Sequence, residues 1–413
     1  MKLHLHLLII IISISIVLLY QHQYYYINHS MSTTDSTAML SSYHSILSDK
    51  HVLLTGGAGY IGSHIAVELL NSNARVTIAD NLCNSNIEVI KRIEKITNKS
   101  VRFIHVDLLH YHELESLVFM NSSNSNNNTT YDSVIHLAAL KAVGESTMKP
   151  LLYYENNLVG TINLLKLCDK YKLYNIVFSS SATVYGTVEN NPITESASLG
   201  STNPYGQTKY VIELMLCDLA AVPNSLYKIV LLRYFNPIGA HSSGLIGEDP
   251  TGPPNNLLPY VAQVASGRVD RPYVQIYGTD YPTRDGTGIR DYIHIIDLAR
   301  GHLAALAHGI YGTSMRSNCE AYNLGTGTGY SVLEVIDSYS RAANKSIPTK
   351  ITARRTGDVA ECYADPTKAN KELQWVVTHT LQQACDSSFK WQSMNPNGYN
   401  TNTTDNNSNE LVI

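Results

Sequence analysis

Tyr205 and Lys209 stand four residues apart in "STNPYGQTKY", just ahead of an apolar helical pattern. On a helix that spacing puts both side chains on one face. An isolated Y-x-x-x-K is usually a surface pair, so the surroundings decide what this one does. A free phenol titrates near pH ~10, too high for a base at neutral pH, but a nearby cation favours the phenolate. A phenol beside an ammonium is therefore a candidate general base, worth about 10²–10⁴-fold in rate. Upstream, "LYNIVFSSSATVYG" ends a short apolar strand, Ile176 to Phe178, in three serines. Ser181 among them is placed to hold the same substrate oxygen by a hydrogen bond.

An alcohol stripped of its proton is oxidised only if something accepts a hydride, and the N-terminal half has the pattern of such a site. "HVLLTGGAGYIGSHIAVELL" passes from a strand at Val52–Leu54 through Gly56, Gly59 and Gly62 into a helical pattern. A turn of that kind lets backbone approach a pyrophosphate, with the helix N-terminus facing the anion. The next strand, "ARVTIAD", ends at Asp80, where a carboxylate meets the adenosine ribose hydroxyls. An acid there favours NAD over NADP, and "NLCNSN" beyond it has no arginine for a 2′-phosphate. "VRFIHVD", ending at Asp107, and "SVIHLAAL", leading to Lys141, continue an alternation of apolar runs and helical stretches. The pattern predicts an α/β fold with a doubly wound parallel Rossmann sheet. A hydroxyl leaving the end of one of its strands, as Ser181 does, sits where ligands of such sheets collect.

A chain of 413 residues with 44% hydrophobic and 15% charged content is globular and long enough for more than one domain. Its net charge of -4 gives no reason to expect nucleic acid. The six cysteines, at 83, 168, 217, 319, 362 and 385, show no spacing that suits zinc. Reduced, mostly buried thiols are the expectation, and no metal is expected.

Regularity weakens after "LLRYFNP", where loops such as "EDPTGPPNN" enter. The expected division is an NAD-binding domain at 49–235, carrying an Asn-rich loop at 121–130, and a smaller, mainly substrate-binding domain at 236–396. An apolar leader occupies 1–30, a linker 31–48 and a flexible tail 397–413. The strongest part of the leader, Leu7 to Leu19, is shorter than the roughly 20 residues that cross a bilayer comfortably. A cytoplasmic protein is the expectation. A leader retained as an anchor, with a lumenal catalytic domain, or translation from Met31 are the other readings.

From about residue 50 to 400 the chain closely resembles the UDP-glucose 4-epimerases of the extended short-chain dehydrogenase/reductase family. The resemblance rests on "TGGAGYIGSH", "DNLCNS", "LKAVGES", "FSSSATVYG", "PYGQTK", "LLRYFNPIGAH", "PNNLLPY", "DGTGIRDYIH", "YNLGTG" and "RRTGD", in family order. It implies NAD contacts from Tyr60, Ile61, Asp80, Asn81, Leu82, Cys83, Asn84, Ser85, Asp107 and Leu108. It also implies them from Leu137, Ala138, Ala139, Leu140, Lys141 and Asn156, with Lys209 on the nicotinamide ribose and Phe235 near the ring. Tyr205 is the implied base and Ser181 its helper. Asn236, Asn256, Arg290, Arg355, Asp358 and Cys362 match the residues for a UDP-sugar. Arginines suit a diphosphate, and amides and a carboxylate suit uracil and ribose hydroxyls. Cys362 stands where many bacterial relatives have a tyrosine. A homodimer is implied as well.

The reaction so implied is interconversion of UDP-galactose and UDP-glucose by transient oxidation at C4, extended to the N-acetylated pair. A 4,6-dehydratase would need an adjacent acid pair, and "SSSATVYG" has Ala182 and Thr183 instead. A UDP-pentose 4-epimerase is the nearer alternative. A non-catalytic NAD-binding regulator is a third, weakened by the presence of Ser181, Tyr205 and Lys209.

Overall fold

Seven strands form one parallel sheet in the computed structural model, which describes residues 41–400 apart from 123–129, 189, 251, 253, 255, 269–271, 356 and 357. Six come from residues 51–234: β1 (His51–Thr55), β2 (Arg75–Asp80), β3 (Arg102–His105), β4 (Ser133–His136), β5 (Asn175–Ser181) and β6 (Lys228–Tyr234). The seventh is Cys319–Leu324, and the order across the sheet is Cys319–Leu324, β6, β5, β4, β1, β2, β3. Runs such as Val52–Leu54 and Ile229–Leu232 are apolar without alternation because both faces of the sheet are covered. The order reverses between β1 and β4, which opens the crevice where such sheets take ligands. Helix α1 (Tyr60–Asn71) leaves the glycine turn, and helix α2 (Pro204–Ala221) lies over β5 and β6.

A smaller layer is built around the strand Ile289–His294. Gly329–Ser331 pairs with it antiparallel, while Asn236–Ile238 and Glu361–Cys362 run parallel to it. Thr349–Thr352 and Val274–Tyr277 form a separate parallel pair. Residues beyond 236 also return to the large layer. Cys319–Leu324 extends its sheet, and the helix Ile295–Ala304 packs on α1.

Three expectations need correction. The chain assigned to a linker is helical over 41–47, with Tyr43 and Leu47 wholly buried and the Tyr43 hydroxyl donating to the Gln374 carbonyl at 2.8 Å. The signal was present in the helical spacing of Leu40, Tyr43, Ile46 and Leu47, which a reading of the segment as a linker passed over. The tail begins packed: the Tyr399 ring lies 4.8 Å from Trp391, centroid to centroid, and its hydroxyl donates to Gly247 O at 3.0 Å. Of the thiols expected to be reduced, Cys217 and Cys319 form a disulfide, because α2 crosses the seventh strand there with Cα atoms 5.4 Å apart. Residues 1–40, 401–413 and most of the Asn-rich loop lie outside the described residues. Among those described, no helix is long and apolar enough to cross a membrane.

Candidate active site

The glycine turn is close-packed, which is why it is glycine. Gly56 has φ +72°, and a Cβ there would come within 2.6 Å of Ala138 N. A Cβ on Gly62 would come as close to the Gly56 carbonyl, so α1 could not sit against the turn. Gly59 caps α1 with no side-chain hydrogen bond, leaving the first-turn N–H groups unclaimed by a cap. Tyr60 reaches the smaller layer, donating to Gly239 O at 2.7 Å. Ile61 is half-buried in the first turn.

Asp80 organises the loop that follows it. One oxygen accepts from Ala58 N at 3.0 Å, the other from Leu82 N at 2.8 Å and the Ser85 hydroxyl at 2.9 Å. Leu82 takes φ +57° in that tight turn. Asn81 donates to Asp107 at 2.9 Å and accepts from Cys83 N at 3.1 Å, tying the ends of β2 and β3 together. Cys83 is exposed, Asn84 lies in the same loop, and Leu108 is buried under Gly160. The opposite wall runs from Leu137, held to Thr55 O at 3.0 Å, through Ala138 and Ala139 to Leu140 and Lys141. A glycine turn at an open helix N-terminus, a carboxylate after β2 and a backbone wall after β4 fit a dinucleotide.

Ser181, Tyr205 and Lys209 come together at the end of β5. Asn203 caps α2 by accepting from Gly206 N at 2.9 Å, and Pro204 starts the helix, which fixes where Tyr205 emerges. Lys209 is buried one turn on. Its Nζ donates to Ser179 O at 2.6 Å and lies 4.8 Å from the Phe178 ring centroid. Burial pulls its ammonium down to about 7. Burial pushes the Tyr205 phenol up, and the hydrogen bond with Ser181 opposes that. The sequence led us to expect a phenol lowered by the ammonium together with a positive nicotinamide ring. Among the chain's own groups burial is the larger effect, so the phenol stands above its ordinary value.

The smaller layer gathers the other side of the crevice. Cys362 pairs in register with Arg290 and packs beside Phe235, Val184 and Tyr185. Burial pushes its thiol up. Arg290 lies 3.9 Å from Asp358, which also accepts from Arg355 Nε at 2.9 Å. Asn236 starts the strand paired to Tyr292. Asn256 stands apart, exposed, its amide 3.5 Å from Glu248. Glu248 also receives Lys141 at 3.3 Å, linking the wall after β4 to the smaller layer.

Some contributors escaped the sequence reading. Buried Asn157, next to half-buried Asn156, accepts from Leu140 N at 2.8 Å and donates to Thr208 on α2 at 2.9 Å. It thereby fastens the expected cofactor wall to α2. In "YYENNLVG" it follows two polar residues, so nothing in the sequence set it apart. Tyr277 presents a half-exposed ring with the Arg355 guanidinium 4.9 Å from its centroid, a flat surface for a planar base.

Comparison with known proteins agrees with this geometry. The family model for GDP-mannose 4,6 dehydratase matches residues 53–388. The UDP-glucose 4-epimerase of Bacillus subtilis is 51% identical over 348 residues, 84% of this chain and 98% of that protein. That of Dictyostelium discoideum is also 51% identical, covering 85% and 98%. Among solved structures, the Bifidobacterium longum UDP-glucose 4-epimerase in complex with NAD+ and UDP superposes with TM-score 0.78 at 50% identity, over 84% of this chain and 100% of that one. The Stenotrophomonas maltophila UDP-glucose 4-epimerase, with bound NAD and formylated UDP-arabinopyranose, gives 0.77 at 45%, over 84% and 98%.

Proposed function

Because the chain belongs to the UDP-glucose 4-epimerases of the extended short-chain dehydrogenase/reductase family, we propose that Tyr205, Ser181 and Lys209 carry its reaction. The enzyme is an NAD-dependent isomerase that interconverts UDP-galactose and UDP-glucose. The observation that supports the residue assignment is the meeting of α2 with the end of β5, which sets the phenol beside Ser181 and the ammonium one turn away. The chemistry NAD supplies when bound is reversible acceptance of hydride at C4. Tyr205 takes the proton of the 4-hydroxyl and returns it, and Ser181 holds that oxygen. A buried phenol gives up its proton readily only near positive charge, and Lys209 is the chain's own contribution of it. Asp80, the glycine turn and the wall from Leu137 to Lys141 bind the dinucleotide. Arg290, Arg355 and Asp358 bind the UDP end of the sugar nucleotide, with Asn236 and Cys362 nearer the sugar. No net redox change results.

Conversion of UDP-galactose to UDP-glucose by the purified chain, assayed beside UDP-GalNAc and UDP-xylose, tests the reading. Turnover of UDP-xylose without UDP-galactose would move the assignment to the pentose substrate.

The chain acts as a homodimer in our reading. Met148 and Leu151, 81% and 80% exposed, stand with Leu152, Val159 and Leu214 on neighbouring helices. Solvent-facing apolar side chains clustered on helices that touch support a helix-to-helix contact with a second copy. A Met148→Asp, Leu151→Asp variant then sediments as a monomer where the parent is a dimer.

We place the chain in the cytoplasm, on the shortness of the apolar leader. Asn28, Asn121, Asn127 and Asn128 sit in N-x-[ST] sequences. Glycans on the expressed chain, removable by a glycosidase, would overturn this.

A further inference from the structure

Tyr205, Lys209 and Glu213 follow one another at i+4 on α2, and the first two already have roles. Glu213 is fully inside the protein, its side chain 4% exposed, and Arg233 of β6 meets it with both arms: Nη2 to Oε2 at 2.7 Å and Nε to Oε1 at 3.0 Å. The Ser180 hydroxyl donates to the same carboxylate at 2.5 Å. Three consecutive residues of β5 therefore engage three consecutive turns of α2. Ser181 meets Tyr205, Ser179 O meets Lys209, and Ser180 meets Glu213. Arg233 clamps the last of these from the neighbouring strand and continues to the Tyr185 hydroxyl at 3.0 Å and Glu195 O at 3.2 Å.

We propose that Glu213 and Arg233 are a positioning pair for the reaction, setting the register of α2 on β5 and keeping Lys209 charged in a buried site. A buried ion pair gives little net stability over an apolar replacement, so packing alone is a poor reason for one here. Its placement one turn beyond Lys209 gives a better one. Among the described residues the titratable groups around Lys209 are Tyr205 and Glu213 on α2, His136 at the end of β4 and Tyr234 of β6, which meets Ser179, while β5 presents the Phe178 ring and the Ser179 carbonyl. Glu213 is the one carboxylate among them, and it opposes the burial that drives Lys209 toward neutrality. Arg233, paired to that carboxylate, carries the opposite charge, so loss of either partner should act on Lys209 with opposite sign, which mere scaffolding would not do.

The inference rests on Tyr205 and Lys209 being the catalytic pair. It is tested by the pH profile of kcat for UDP-galactose in the parent, Glu213→Gln, Arg233→Gln and the double variant. Removing Glu213 should move the alkaline limb toward acid by about one pH unit, a tenfold fall in the proton affinity of Lys209. Arg233→Gln should move it toward alkali. The double variant should move toward acid by less than Glu213→Gln, because Glu213, one turn from Lys209 on the same helix, is the charge that acts on it directly. It also removes both halves of the pair, the form in which such a pair is best tolerated. KM and bound NAD should change less than about twofold in each, well under the tenfold that one pH unit represents. Titration of Lys209 by ¹³Cε-lysine NMR, assigned with Lys209→Arg, should move in the same order and does not depend on turnover. Parent turnover with coincident limbs and coincident Lys209 titrations overturns the proposal. A parent inactive on UDP-galactose overturns the functional reading instead, and the NMR order still decides this one.

Discussion

Lys209 and Ser179 are joined by one buried hydrogen bond, from the ammonium to the strand carbonyl at 2.6 Å. The bond makes the end of β5 a common reference for the whole site. The strand that carries Ser181, the proposed holder of the substrate oxygen, also holds the Lys209 ammonium one helical turn from Tyr205. Tyr205, Lys209 and Glu213 on successive turns of the helix meet Ser181, Ser179 and Ser180 of the strand, so one strand end holds one whole helix face.

Tyr205→Phe removes the acidic hydroxyl while keeping the ring and leaving the other residues proposed to hold the cofactor unchanged. Turnover should fall by about 10²–10⁴-fold, with bound NAD retained through desalting. An activity within a few-fold of the parent would remove Tyr205 from the role of base.

The buried histidines give the fold an acid limit. His136 sits between two threonines, and Thr161 gives its own proton to Asn157 O at 2.6 Å. Nε2–H must therefore donate to Thr161 at 2.8 Å, leaving Nδ1 to accept from Thr55 at 2.7 Å, which holds the ring neutral. Burial lowers His136, His64 and His294 to about 3 and His302 to about 4. The unfolded chain binds these protons from about pH 6.5 downward and the folded chain does not. Stability is therefore whole above about pH 6.5 and falls as pH drops toward 4. Each histidine steepens the fall by up to about 1.4 kcal/mol per pH unit. Thermal melts from pH 7.5 to 4.5 check this, and a Tm independent of pH over that range would contradict it.

How much of this was legible in the sequence follows from the range of the interactions. The glycine turn, Asp80, Ser181, Tyr205 and Lys209 are local patterns, each read from a strand, a turn or one helical face. What escaped was set by partners far along the chain. Arg233 lies 20 residues from Glu213, Thr208 lies 51 from Asn157, and Cys319 lies 102 from Cys217. A carboxylate four residues after Lys209 looks like a solvated helix face until β6 supplies its arginine.

The disulfide between Cys217 and Cys319 closes 102 residues and ties the far end of α2 to the edge of the large sheet. Closing a loop of that length stabilises by about 4–5 kcal/mol in the chain-entropy picture, and measured values are often smaller. Reductant should lower the Tm of the parent by several degrees. Cys217→Ser, Cys319→Ser chain should melt lower at the outset and ignore reductant. A parent with the same Tm in both conditions would show that the bond does not contribute.

Substrate range turns on Cys362. Epimerisation at C4 requires the oxidised sugar to present its other face, so the volume of the pocket wall limits what can turn. Cys362 lies in register with Arg290 and packs beside Phe235, between the diphosphate-binding side and the expected nicotinamide position. It is small and half-buried. A buried cysteine often only fills space; in our reading its small side chain leaves the wall open to a C2 N-acetyl group. A tyrosine at this position would add a ring to that wall and oppose the acetylated sugars by overpacking. The chain is therefore expected to interconvert UDP-GlcNAc and UDP-GalNAc as well as the glucose pair. Cys362→Tyr should depress the acetylated reaction at least tenfold, a loss of about 1.4 kcal/mol in the transition state, while UDP-galactose turnover stays within about threefold, under half that energy. Equal losses on both substrates, or no acetylated activity in the parent, would remove Cys362 from the pocket wall and return it to the core.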